Sequence, residues 1–337
     1  MQNEIMNSTN LLDKDGNLVQ KGWGRSTLLK YHRNQVEAAK FKIKEWDYYA
    51  VLNDKFGIAL TVADNGYVGL GIITVFDFTV PKEWTKQVLV PFPLGKFNMP
   101  ESPETGDVVF DNKDFLITFK KKEKMRRLEV RIKDFHQGKS LEANIELQEI
   151  NRDSLMIATL FHKPKKFYYN HKINNLLPKG TMKIGDRVFD FESEPSNGVL
   201  DWGRGVWTYN NTWYWGSASG LVDNIPFGFN IGYGFGDTSK ATENIVFYDG
   251  IGHKLDEVEF RIPDNYTDPW QFTSNDGRFE INFAPVIDRN SNTKVLFIES
   301  DQHQVFGHFS GQIVLDNGAI VNVDRVFGFA EKVMNKW

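Results

Sequence analysis

Residues 200–220 read LDWGRGVWTYNNTWYWGSASG, and four of the chain's nine tryptophans lie there: Trp202, Trp207, Trp213 and Trp215. Asp201, Arg204, Asn210, Asn211 and two tyrosines stand among them. Large π faces beside fixed charges suit the holding of a sugar ring or a developing cation. A plain core segment would use Val, Ile and Leu instead. Arg204 offers a planar donor fork for a carboxylate or a hydroxyl pair. Asp201 is either its partner or an acid/base group, and a structural Asp–Arg pair in a glycine-permitted turn fits equally well.

Other residues extend the constellation. Glu243-Asn244-Ile245-Val246-Phe247-Tyr248-Asp249 reads as a strand with Glu243 and Asp249 on one face. Six residues of strand separate those carboxyls by about 20 Å, too far to act on one bond. Glu243 has the better claim, because Asp249 also fits an Asp-Gly turn. His303 is a candidate acid/base, whereas His308 has the opposite parity on a strand and reads as structural or solvent-facing. That parity opposes joint metal ligation, and no HExxH or comparable spacing occurs. Glu45, Asp47 and Tyr49 share a face if extended, as a polar pocket floor or a wetted acidic side. The string Gly232-x-Gly-x-Gly236 opens no helix, so it is no dinucleotide site. Neither a phosphate loop nor a GxSxG elbow is found. No cofactor is expected.

Strands must position these groups. RLEVRI at 127–132, LEANIEL at 141–147 and FEINF at 279–283 alternate with period two. Turn chemistry separates such runs at Gln137-Gly138, Gly185-Asp186, Asp249-Gly250, Asn275-Asp276-Gly277 and Asp316-Asn317-Gly318. If Thr212 to Gly216 is a strand, Trp213 and Trp215 share a face and Tyr214 takes the other. Trp207 then stands on the preceding strand, opposite one of them. The best helical segment is Arg33 to Ile43, and a short helix near Asp301 is a second candidate. Strands about every ten residues indicate a sandwich or barrel.

Composition bounds the function. The 337 residues carry a formal net charge of −4, which gives no overall pull toward nucleic acid. The basic run KKKEKMRR at 120–127 reads as a hairpin loop. There is no cysteine, so disulfides, thiolate metal sites and cysteine nucleophiles are excluded. No apolar run approaches the roughly 20 residues of a spanning helix. The N-terminal residues show no signal peptide, and a cytoplasmic location is expected.

KEWDYY at 44–49, FYYNHK at 167–172, LDWGRGVW at 200–207, WYWGSASG at 213–220, ENIVFYDG at 243–250, HQVFGHFSG at 303–311 and GFAE at 328–331 resemble a bacterial domain-of-unknown-function family, family 2804. A remoter resemblance links Gly203-x-Gly205, the aromatic stretch and Trp215-Gly216 to the carotenoid 1,2-hydratases and related lipocalin-like cyclases. Those proteins have a histidine before an Asn-Trp-Gly; here Trp213 and Tyr214 hold those places. The resemblance implies two calycin-type barrel halves, an acid that protonates an alkene, and aromatics that shelter the cation. It puts Phe247-Tyr248-Asp249 where the acid-bearing strand ends.

The combined expectation is an all-β protein of two lipocalin-like (calycin-type) antiparallel β-barrel halves with few short helices. The halves are placed at 1–150 and 151–337, the second carrying the aromatic site. The expected function is metal- and nucleotide-independent acid/base chemistry of the lyase or isomerase kind, hydratase- or cyclase-like. Asp201 or Glu243 would donate the proton and His303 would be the base. Arg204 and Asn244 would orient polar groups of the ligand, Asp249 would also bind it, and Trp207, Trp213 and Trp215 would stack on it or stabilise positive charge. The ligand would be a small molecule, either an isoprenoid or lipid or a glycan. Two rivals remain at this point: a glycan-active hydrolase and a non-catalytic lipocalin-like carrier.

Overall fold

Alternation becomes sheet wherever one face meets a core. Leu128, Val130 and Ile132 are buried while Arg127 and Arg131 are exposed, as the 2.0-residue period requires. Their strand, Met125–His136, runs antiparallel to Phe115–Lys122 and Lys139–Glu149. Gln137 and Gly138 join two of these strands with φ of 51° and 76°. Asp249 and Gly250, at 51° and 74°, do the same between Ile245–Tyr248 and Ile251–Lys254. Positive φ at both central residues matches the twist of a two-residue hairpin. The basic run at 120–127 forms the hairpin between Phe115–Lys122 and Met125–His136.

The structure, a computed structural model, describes residues 2–295 and 298–336. It is all-β and consists of two lipocalin-like halves. In the first sheet a path of ten strands forms a near-closed barrel. At its centre Asn197–Val206 lies between Ile43–Leu52 and Phe167–Ile184. The second sheet has nine strands and forms a half-barrel. There Asn210–Val222 lies between Ile225–Tyr233 and Ile320–Lys336. Residues 207–209 carry the chain from one sheet to the other. The segment from Arg33 to Ile43 holds only two 3-10 turns, Arg33–Gln35 and Lys40–Lys42, with extended backbone at Val36. Around Asp301 there is no helix but the strand Ile298–Val314.

Three apolar clusters follow from this arrangement. One fills the first barrel and contains Trp202, Tyr169 and Leu200. A second lies on one face of the second sheet, around Phe229, Trp270 and Phe309. The third takes residues from both sheets, including Ala50, Tyr168, Trp207, Trp215 and Phe329. The outer face of the first barrel therefore packs against the remaining face of the second sheet. The strands there are covered on both sides.

The barrel interior also contains His171, fully buried, with Nδ1 2.8 Å from Thr27 Oγ1 and Nε2 2.7 Å from Ser154 Oγ. Burial, aided by the Arg126 guanidinium, pushes its pKa down to about 3 from 6.5. The folded histidine stays neutral while the unfolded one gains a proton, so stability falls as pH drops below 6.5. At pH 5 the cost is about 2 kcal/mol. Urea unfolding at pH 5 and 7.5 checks this: His171→Gln should lose less stability on acidification than the wild type. Equal losses would refute it.

Candidate active site

The layer between the sheets positions the candidate groups. On Phe167–Ile184, Tyr168, Asn170 and Lys172 face the second sheet, while Tyr169 and His171 face into the barrel. Asp201 sits between Lys172 and Tyr48 in register, on that same outer face. Its carboxylate accepts from Asn170 Nδ2 at 2.6 Å and pairs with Lys172 Nζ at 3.1 Å. Lys172 also rests over the Trp215 ring, 3.8 Å from its centroid.

Glu243 and Glu331 complete the cluster from the second sheet. Glu243 is 2% exposed and accepts a 2.6 Å hydrogen bond from the Tyr168 hydroxyl through Oε1. Its Oε2 is buried and finds no hydrogen-bond partner among the described residues. Burial raises its pKa, with Lys172 and Tyr168 opposing and Asp201 adding to the rise. Glu331 accepts from Trp213 Nε1 and Gln304 Nε2, both at 3.0 Å. Burial pushes its pKa up to about 7, against the pull of Trp213 and Lys172. Gln304 in turn donates to Tyr48 at 3.2 Å and accepts from Arg289 at 3.2 Å. Two buried carboxyls of raised pKa, one ammonium and one carboxylate thus share a single electrostatic neighbourhood.

Aromatic rings surround this neighbourhood. Trp207 meets Trp213 edge-on at 5.4 Å and Trp46 at 5.5 Å. Tyr168 stacks on Phe235 at 4.8 Å. Trp213 and Trp215 do share a face, and Tyr214 turns away to stack on Tyr233 at 4.4 Å. Trp215 donates to Asn230 at 2.6 Å and is covered by Lys172, while Trp207 and Trp213 pack against Phe235 beside it.

The remaining sequence candidates lie elsewhere. Arg204 points into the barrel, opposite in parity to Asp201, so the two do not pair. Its guanidinium holds Asp47 at 3.0 Å and the carbonyls of Trp46, Gly203 and Pro100, and it stands 4.0 Å from the Trp202 ring centroid. Glu45, Asp47 and Tyr49 share the barrel-facing side, where they are buried and bonded to Arg33, Arg204 and Arg126 respectively. Asn244 ties Gly232 N at 2.7 Å to the Asp256 carbonyl at 2.6 Å. Asp249 is the exposed residue of its turn. His303 faces away from Gln304, hydrogen-bonded to Asp288 at 2.8 Å and stacked on Tyr266 at 3.8 Å. Lys172, Tyr168 and Glu331 were not among the sequence candidates, although FYYNHK and GFAE contain them.

A cleft of about 600 Å³ also lies between the sheets, lined by Ala50, Val199, Ser217 and Phe329 among others. The Phe329 ring stands 4.7 Å from Trp215 and 6.3 Å from Tyr48, between the cleft and the carboxyl cluster. Among the described residues, no group of three or more His, Cys, Asp or Glu is placed to hold a metal ion. No helix among them is long and apolar enough to cross a membrane.

The chain is similar to several solved structures. A protein of Nitrosomonas europaea described as a putative AttH matches with a TM-score of 0.55 and 12% identity, over 90% of this chain and 96% of that one. Kievitone hydratase of Nectria haematococca gives 0.48 and 8%, over 98% of each chain. CghA with Sch210972 gives 0.49 and 10%, over 98% of this chain and 97% of that one. At 12% identity the first of these likenesses extends to the fold alone. No curated protein matches the sequence. A family model described as a domain of unknown function, DUF2804, matches residues 2–337.

Proposed function

The chain belongs to the DUF2804 family, and we propose that it is an acid/base enzyme of the lyase or isomerase kind, acting on a small organic molecule between its two sheets. The observation that carries this is that Glu243 and Glu331, both buried, respond to the same Lys172 and Asp201. Both carboxyls are buried with raised pKa, and one of them lies near 7. Groups poised near the working pH exchange protons most effectively.

The roles follow from hydrogen bonding. Glu243 Oε1 is engaged by Tyr168, so Oε2 is the oxygen that carries a transferable proton. Glu331, held through both oxygens, takes the complementary base role. Lys172 and Asp201 set the local field, and the faces of Trp207 and Trp213 shelter developing positive charge. His303 lies on the far face of the second sheet and has no part in this scheme.

The test is a panel of alkene- and enone-bearing compounds incubated with the full chain, with products followed by mass spectrometry. Glu243→Gln should lower any product formation by about 10²–10⁴. Product formed equally fast by Glu243→Gln and Glu331→Gln variants would sink the reading. One observation favours a second reading, that of a non-catalytic carrier. The rings pack edge-on around the carboxyls, and Phe329 separates them from the cleft. A carrier would bind panel members without converting any.

A further inference from the structure

We propose that the cleft bounded by Val199, Ser217 and Phe329 receives the apolar body of an uncharged small molecule, with its inner end directed at Phe329. Only that orientation rests on the acid/base reading above; binding in the cleft does not.

The volume of about 600 Å³ falls in the range of small-molecule sites. Both sheets build it, which ties occupancy to the packing of the two halves. The depth is apolar: Ala50 and Phe329 are fully buried and Val199 nearly so. Buried polar side chains also line it, among them Asn53, Asn175, Ser196 and Ser217. Ser217 is 2% exposed, and its hydroxyl accepts from Asn174 Nδ2 at 2.9 Å. Among the described residues that hydroxyl has no acceptor, so its proton is left for a ligand carbonyl or hydroxyl.

The mouth carries a second signature. Ile150, Leu177 and Leu221 line it while 38%, 41% and 58% exposed. Large apolar side chains gathered at one opening mark a surface that a ligand covers. The charges of the rim select among ligands. Asp54, Glu192, Glu194 and Asp324 line it against Lys179 and Arg325, with Lys55 beside Glu194 and His308 3.4 Å from Asp54. That balance disfavours an anion.

Register connects the cleft to the carboxyl cluster. Ser217 pairs with Phe329, and Trp215 pairs with Glu331 two residues further on the same face. One pleat repeat is about 7 Å. A ligand seated against Ser217 thus ends one side chain short of Glu331, and that side chain is Phe329.

The probe is N-phenyl-1-naphthylamine, an uncharged fluorophore, titrated into the full chain. Its sulfonated counterpart, 8-anilino-1-naphthalenesulfonate, tests the charge preference. Saturable binding of the uncharged dye is expected. It should weaken at least about tenfold when Leu177→Glu and Leu221→Glu are combined at the exposed mouth, where folding is not at stake. Ser219→Trp, which fills the wall, should do the same. The sulfonated dye should bind more weakly than the uncharged one, and tighter binding would overturn the choice of an uncharged ligand. No binding by the wild type, or equal binding by all variants, would overturn the cleft itself. Glu331→Gln separates the two proposals: it should bind the uncharged dye as the wild type does, whatever it does to turnover.

Discussion

Glutamine in place of Glu331 is expected to lower turnover by about 10²–10⁴ and yet to raise stability above neutral pH. The two effects share one cause. Burial lifts the carboxyl from 4.5 to about 7, so the folded chain holds a proton that the unfolded chain releases. Between those values the folded state binds more protons, and stability falls as pH rises. Above pH 7 the loss is on the order of 3 kcal/mol. The neutral amide escapes that loss but cannot exchange protons. Thermal unfolding at pH 5 and pH 8 reads the difference: the variant should gain on the wild type at pH 8 and match it at pH 5. The same gap at both pH values would mean that the carboxyl is not held near neutrality.

The largest expected loss of stability belongs to Arg204→Met. The guanidinium is fully buried and is the ion-pair partner of Asp47, at 3.0 Å. Without it Asp47 is a lone buried carboxylate, already raised in pKa by burial. Breaking such a pair costs about 3–5 kcal/mol, because the stranded charge cannot return to water. Adding Asp47→Leu removes that charge and should restore a large part of the loss, although the carbonyls of Trp46 and Pro100 remain without their donor. Urea unfolding of the single and double variants tests this. A double variant no more stable than Arg204→Met would show that the arginine's carbonyl contacts, and not the ion pair, dominate.

Much of the fold was legible where strands have one wet face. Leu128, Val130 and Ile132 announced theirs, and Gln137-Gly138 announced its turn. Legibility failed where both faces are covered. Asn197–Val206 is buried at nine of its ten positions, so no alternation tells which side chains look into the barrel. Asp201 and Arg204 look adjacent in sequence but stand on opposite faces for that reason. Glu331 and Lys172 had a usable signal: each ends an alternating series, Phe327-Phe329-Glu331 and Tyr168-Asn170-Lys172, in which the polar group faces the same side as buried rings. What the sequence could not supply is which sheet covers which. Nor could it supply the long-range strand pairing: the contact between Trp213 and Glu331 spans 118 residues and depends on Asn210–Val222 lying beside Ile320–Lys336.

The placement of Asn210–Val222 has a consequence for how the molecule is made. Its neighbour on one side, Ile225–Tyr233, follows at once, but on the other side Asn210 pairs with Lys336. During synthesis the first barrel has every strand of its closing seam once residue 206 has emerged. The second sheet must wait with an open seam for more than a hundred further residues. Long-range pairing of that kind is slow, and an unpaired strand rich in tryptophan invites wrong partners meanwhile. The half that carries Glu243 and Glu331 is therefore the half whose birth most needs protection, by a chaperone or by the finished barrel beside it.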